Sequence, residues 1–415
     1  MTAFDRFEQH LPELMDELAA AQVPDYFDDM LRRTAGSRQR PAWASRERWL
    51  PMGVIARPLL VSRMPWRPMA IVALLVLVIV SALIFAAGSS RRVPPPFGPA
   101  ANGSIVYSTA GGDISAVNPL TGASTALISG PEKDTAPLLS RDGTKFLFVR
   151  NLEATSALMV ANVDGTGVRQ LAEGFFAPSD LDRSPFDWSP SGAQVAAVGD
   201  VFPGSVRNIT ILATDGSATR TLDLGLNVSD VAWRPNGHEL VFKGEKNATY
   251  GLYLVNADGS GLRAIAPVND LQYGWREPTL SQDGSLVTFS RSLSGSDDGI
   301  HVLGVDSGVD RLLGIDGALP QFSPDGTRLV IQRWEGGKNQ LAVLPLDGGG
   351  KAAPIGPTHT DGGATPSLSF SPDGSMVLAS FPTDGTTWLL GTNGGNDRQA
   401  SWPGTKFQSW QRLAP

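Results

Sequence analysis

From about residue 102 onward the chain alternates short runs of β-branched and aromatic residues with turns rich in Gly, Asp, Asn and Pro. Leu329-Val330-Ile331 and Leu286-Val287-Thr288-Phe289 are representative runs. They are too short for helices, and the turns that bound them predict buried strands. The first 90 residues follow other patterns. Phe4, Phe7, Leu11, Leu14 and Leu18 recur at three- and four-residue steps, which predicts an amphipathic helix. Pro24 fits the first turn of a second short helix that carries Tyr26, Phe27, Met30 and Leu31. Met69 to Ala87 is nineteen residues without a charge. At the helical rise that length spans roughly 30 Å of hydrocarbon.

The strand-like region is repetitive. "FSPDGTRLVIQR", beginning at Phe322, recurs as "LSRDGTKFLFVR" at Leu139, "WSPSGAQVAAVG" at Trp188, "WRPNGHELVFKG" at Trp233, "LSQDGSLVTFSR" at Leu280 and "FSPDGSMVLASF" at Phe370. "NGSIVYS", from Asn102, matches the second half alone. Seven turns are therefore expected, at Asn102-Gly103, Asp142-Gly143, Ser191-Gly192, Asn236-Gly237, Asp283-Gly284, Asp325-Gly326 and Asp373-Gly374. Ser-Pro-Asp-Gly suits a type I turn, with Pro setting φ and Gly free to adopt a left-handed conformation. A second series of turns, from "AVNPLTG" through "VANVDGTG" to "LLGTNGG", also counts seven.

Four short strands per unit predict an all-β seven-bladed propeller over 102–415, with six or eight blades if one weak unit is misread. The first unit lacks its inner strand. The spare "KFQSWQRL" places Trp410 where other units have Phe322, Trp188 or Trp233, so a strand at about 405–412 is expected to close the first blade and remove the exposed sheet edges. The repeats resemble the WD40-like repeats of TolB-type propellers in exported bacterial proteins. "FSPDGTRLVIQR" and "FSPDGSMVLASF" match well, while the units at Ser191, Asn236, Leu139 and Leu280 are looser. No Gly-His plus Trp-Asp pair recurs, which separates them from the eukaryotic WD40 type. The resemblance implies a fold and leaves function open.

Charge divides the remainder. Of the net −7, residues 1–34 contribute −5, residues 35–68 contribute +6, and the rest −8. An acidic propeller is a poor partner for nucleic acid, which needs clustered positive charge. Arg57, Arg63 and Arg67 precede the apolar run, and only Arg91 and Arg92 closely follow it. That bias predicts one uncleaved transmembrane helix at 69–87 with the N-terminus cytoplasmic and the propeller outside, beyond a proline-rich linker at 88–101. Trp49 and Trp66, interleaved with the arginines of 35–68, suit anionic headgroups.

A short helical cytoplasmic segment, one span and an external domain resemble the layout of membrane-bound anti-sigma factors. The resemblance is one of layout, since the zinc motif of that family needs two cysteines near a histidine and the chain has none to follow His10.

Candidate chemistry is sparse. Absence of cysteine excludes disulfides, thiolate zinc sites and thiol nucleophiles. No Gly-x-Ser-x-Gly elbow or His-Glu-x-x-His helix occurs, and no hydrolase domain is expected after the closing strand. His10, His238, His301 and His359 are isolated in sequence, and the acidic loop at 294–301 with Asp297 and Asp298 lacks the ligand alternation of a calcium loop. Neither catalytic residues, metal nor cofactor is expected. The sequence thus predicts a membrane-anchored recognition module with a protein or glycan partner for the propeller and a cytoplasmic partner for 1–34. The alternatives are an envelope enzyme acting on glycans or peptides and a structural scaffold.

Overall fold

The computed structural model describes residues 94–414, apart from 175–184, 200–205, 248, 267–275, 292–298, 316, 336–337, 348–350, 360–365, 382–383, 404 and 406; before them it describes only Val76. The helices expected in 1–34, the basic stretch 35–68 and the span expected at 69–87 lie outside the described residues. Among the described residues no helix is long and apolar enough to cross a membrane. Residues 90–415 form one compact unit.

Among the described residues, short β-branched runs between glycine turns give 28 strands, β1 to β28 in chain order, arranged as seven antiparallel sheets of four. Six sheets are continuous in sequence and span residues 133–174, 186–222, 227–264, 276–312, 318–359 and 367–399. They form blades 2 to 7. Blade 1 is composite. Its β1 (Ala101–Ser108), β2 (Ile114–Val117) and β3 (Ser124–Ile128) are consecutive, but its inner place is taken by β28 (Gln408–Leu413). Ile105 lies opposite Trp410 in that pairing, and Trp410 Nε1 donates to the Gly103 carbonyl at 3.1 Å. The architecture is a closed seven-bladed propeller.

Strand periodicity explains how the ring holds. Successive side chains point to opposite faces of a sheet, so each blade offers one apolar face to each neighbour. In blade 2, Leu147 and Val149 pack on Trp188 and Val195 of blade 3. The intervening Phe146 and Phe148 pack on Val106 and Ile114 of blade 1. Such a cluster lies between every neighbouring pair of blades, seven in all among the described residues. Between blades 7 and 1 it joins Leu378 and Leu389 to Ile105, Trp402 and Trp410. Each fully buried aliphatic or aromatic side chain contributes roughly 1.5–3 kcal/mol.

The turns after the inner strands share one construction. Ser323 is wholly buried. Its Oγ donates to Asp325 at 2.5 Å and accepts from the Arg328 backbone N–H at 3.0 Å. Ser140, Ser281 and Ser371 make the same pair of contacts. Blade 3 uses Ser189 with Ser191, and blade 4 replaces the serine by Arg234, which pairs with Glu239. The glycines at 143, 192, 237, 284, 326 and 374 have φ between 67° and 73°, where a Cβ would be strained.

Asn102 and Gly103 differ from the expected turn: both lie inside β1. The inner strand of blade 1 arrives from the far end of the chain, so no hairpin forms at this dipeptide. Asn102 Oδ1 instead accepts from the Asp373 N–H at 3.1 Å.

Antiparallel order places the turn between third and fourth strands at the same end of the ring, here termed the turn end. Hydrogen bonds join the two kinds of turn within blades, as from Val163 N–H to the Thr144 carbonyl and from Leu346 N–H to the Thr327 carbonyl. Arginines then link the blades around the rim. Arg169 and Arg220, on the outermost strands of blades 2 and 3, donate to the Asp215 and Ala257 carbonyls in the turns of the next blade. Arg311 reaches the Leu346 carbonyl at 3.2 Å and Arg398 reaches the Pro119 carbonyl at 2.6 Å, while Arg263 pairs with Asp306 at 3.6 Å.

Candidate functional site

The inner strands enclose a central cavity of about 400 Å³ lined by all seven blades, within the roughly 300–1,000 Å³ typical of small-ligand sites. These strands are β4 (Lys133–Leu139), β8 (Phe186–Trp188), β12 (Asn227–Trp233), β16 (Arg276–Leu280), β20 (Ala318–Phe322), β24 (Ser367–Phe370) and β28. Each presents its unpaired backbone edge to the channel, and such an edge needs hydrogen-bond partners.

Near the turn end those partners are supplied by neighbouring blades. Ser409 Oγ accepts from the Leu139 N–H at 3.0 Å, Asp187 accepts from the Trp233 N–H at 2.8 Å, and Thr279 Oγ1 donates to the Pro320 carbonyl at 2.7 Å. All three occupy the position just before the bulky residue that precedes the turn. Trp188 Nε1 similarly donates to the Leu138 carbonyl at 3.0 Å. Asp187 also binds the Arg141 guanidinium through both oxygens, at 3.2 and 3.0 Å. The channel's lower wall is thus closed on itself.

The segment approaching β1 forms the floor. Phe97 lines the cavity, and the Arg141 guanidinium sits 4.4 Å from its ring centroid. Arg412 donates to the carbonyls of Pro95 at 2.9 Å, Gly98 at 2.8 Å and Arg141 at 3.2 Å. Burial, with repulsion from Arg141, pushes the Arg412 pKa down to about 10. Ala100 N–H donates to the Pro372 carbonyl at 2.9 Å. The chain therefore reaches the propeller at its turn end, across one end of the channel.

The opposite half is looser. β4, β12, β16 and β20 each carry one extra residue relative to the strand beside them, at corresponding places in the repeat. Such bulges bend a strand and re-aim its side chains. Two of them hold non-glycine residues with positive φ, Ala136 at 53° and Leu319 at 56°, a strained conformation. Asp230 lies in a third and lines the cavity, where its carboxylate accepts from Ser229 Oγ at 3.3 Å. Back at the turn end, Trp233 Nε1 and Gln282 Oε1 are buried and have no hydrogen-bond partner among the described residues, and both residues line the cavity.

Other residues singled out in the sequence are scattered. His238 is exposed and His301 is buried, stacked 5.1 Å from Phe289 with Nδ1 3.0 Å from Asp310. His10, Asp297 and Asp298 lie outside the described residues. His359 ends a strand opposite Asn339. Among the described residues no group of three His, Asp or Glu is placed to hold a metal ion. Sequence reasoning did not single out Arg141, Asp187, Asp230 or Phe97. The rim arginines had a readable signal, an Arg three to five residues after the Gly of successive turns.

Closure, blade number and inner-strand construction define this as a seven-bladed β-propeller built from repeats. Residues 153–411, more than half of the chain, match the family described as TolB beta propeller domain. The chain belongs to that family. A comparison with curated proteins yields no match. Among solved structures, a protein from Lactobacillus plantarum is 15% identical with a TM-score of 0.53, covering 75% of this chain and 99% of that one. An oligogalacturonate lyase from Vibrio parahaemolyticus is 13% identical with a TM-score of 0.52, covering 72% and 86%. TolB from Acinetobacter baumannii is 15% identical with a TM-score of 0.45, covering 80% and 71%. At these identities the likeness is one of fold.

Proposed function

We propose that the protein is a non-enzymatic recognition module of the cell envelope, anchored by residues 69–87 with its propeller outside the cytoplasm. The carrying observation is the asymmetry of the channel. The charged groups of its lower wall, Arg141 and Asp187, pair with each other and with backbone, whereas Asp230, farther from the turn end, accepts a single hydrogen bond at 3.3 Å among the described residues. That arrangement suits binding rather than proton transfer, which needs an acid or base positioned against a second reacting group.

The apolar run at 69–87 and the arginines of 35–68 support a lipid-bound anchor with the N-terminus cytoplasmic. The propeller would then meet a protein or glycan partner outside the cytoplasm. The amphipathic pattern of 1–34 suits a cytoplasmic protein that receives the signal, in the manner of an anti-sigma layout.

Crosslinking of the full-length protein in its native membrane, from a photoreactive residue at Ser367, is expected to capture one envelope partner. Turnover of an envelope glycan or peptide by the purified protein would replace this reading with an enzymatic one. Full rescue of a knockout by a chain lacking residues 1–34 would remove the signalling part alone.

A further inference from the structure

We infer that the channel is a blind well, closed at the turn end by Phe97, which takes the amine-bearing end of a slender chain against Asp230. The inference rests on the recognition reading and names the chemistry of its ligand.

The floor comes first. Phe97 lies under the cavity, stacked on Arg141, while Arg412 fixes the carbonyls on either side of it. Arg141 is in turn held by both oxygens of Asp187. A polymer cannot thread past this stack without breaking it, so access is left to the opposite mouth. From Asp230 to Trp233, the last residue of β12, the inner strand advances three residues, about 10 Å at roughly 3.3 Å per residue. With a volume of about 400 Å³, the well admits an extended chain and excludes a folded domain.

Charge selects the end group. Asp187 is neutralised by Arg141, and the Arg412 guanidinium is occupied by three carbonyls. Asp230 lines the well in a strand bulge, and among the described residues its one hydrogen bond is from the Ser229 hydroxyl and it forms no ion pair. Such a half-buried carboxylate is completed by a primary ammonium, through charge-assisted hydrogen bonds. Phe186, Phe322, Phe370 and Phe407 also line the well, and aromatic walls accept the alkyl stem of such a group and favour its charge. A sugar hydroxyl donates to Asp230 without neutralising its charge, and an anionic sugar is repelled by it.

A peptide ending in lysine and a polyamine share this chemistry. The test measures binding of both to the purified full-length protein: acetyl-tetra-alanyl-lysine amide, its norleucine counterpart, a cyclic peptide with the same lysine, and spermine. Binding of the linear lysine peptide is expected to weaken at least tenfold in Asp230→Asn and to stay unchanged in Glu153→Gln, which alters an exposed acid. If spermine binds and the peptide does not, the ligand class is the polyamine; the reverse identifies the peptide. Both outcomes support the well. Equal binding of the norleucine or cyclic peptide to the wild-type protein overturns it, as does equal binding by Asp230→Asn or failure of both amines. Should crosslinking capture a partner while the amines fail, this inference falls and the recognition reading stands.

Discussion

The two ends of the ring are built on opposite principles. At the turn end, hydroxyls close the turns, arginines tie each rim turn to the next blade, and Arg141, Asp187 and Arg412 spend their hydrogen bonds within the protein. At the other end the inner strands bulge, Ala136 and Leu319 hold strained backbone, and Asp230 has one weak contact. Hydrogen bonding at one end supplies stability that backbone strain at the other subtracts. Stability and recognition are thereby separated along the channel axis, within the same seven strands.

The comparison can be broken most directly at ring closure. Trp410→Ala removes a buried indole from the cluster between blades 7 and 1. It is expected to destabilise the protein by about 4 kcal/mol, read in denaturant unfolding. Asp187→Ala comes next. It leaves Arg141 without its carboxylate and the Trp233 N–H without an acceptor, an expected loss of about 3 kcal/mol. A loss comparable to that of an exposed substitution would show that the lower wall is not the stabilising half. Ser323→Ala deletes the hydroxyl that joins Asp325 to the Arg328 N–H and is expected to cost about 1.5 kcal/mol.

Acid titration sharpens the same contrast. Burial alone would raise the carboxyl pKa of Asp283, Asp325 and Asp373, but hydrogen bonds from the serine two residues before and from the backbone two residues after outweigh it and hold all three below the ordinary value. Groups depressed in the folded state contribute stability above their unfolded pKa, about 3.9 for Asp, and lose it as pH falls through the folded value. The melting temperature is therefore expected to be level above about pH 5 and to drop below about pH 4, with a smaller drop in Ser323→Ala. The smallest effect belongs to the other end. Asp230→Asn is expected to change stability by less than about 0.5 kcal/mol, because its carboxylate supports little of the fold.

Much of the fold is legible in the sequence because propeller blades repeat their solutions. The Ser-x-Asp-Gly turn is local, and the second series of turns gives the same number of blades that the sheets show, whereas the first reaches seven only by counting Asn102-Gly103. Asn102-Gly103 shows where local reading fails. The dipeptide has the composition of a turn but sits in a strand whose partner lies some 300 residues away, with 307 between Gly103 and Trp410. The channel was less legible still. Arg141 and Asp187 are 46 residues apart and neither recurs in the corresponding place of other blades. Phe97 belongs to no repeat, and its role depends on where the approach segment docks. Function sits at positions that depart from the repeat, where periodicity carries no signal.

Closure by β28 also sets the order in which the protein can be made. The inner strand of blade 1 is the last of the described strands to be synthesised, so β1 must wait for a partner made about 300 residues later. Contacts of such sequence separation form slowly. Until then both the edge of β1 and the outer face of blade 7 stay bare, a sticky interval in which a nascent chain invites pairing with another copy. Six residues, Gln408 to Leu413, end that interval, which makes β28 the timing element of biogenesis as well as the clasp of the ring.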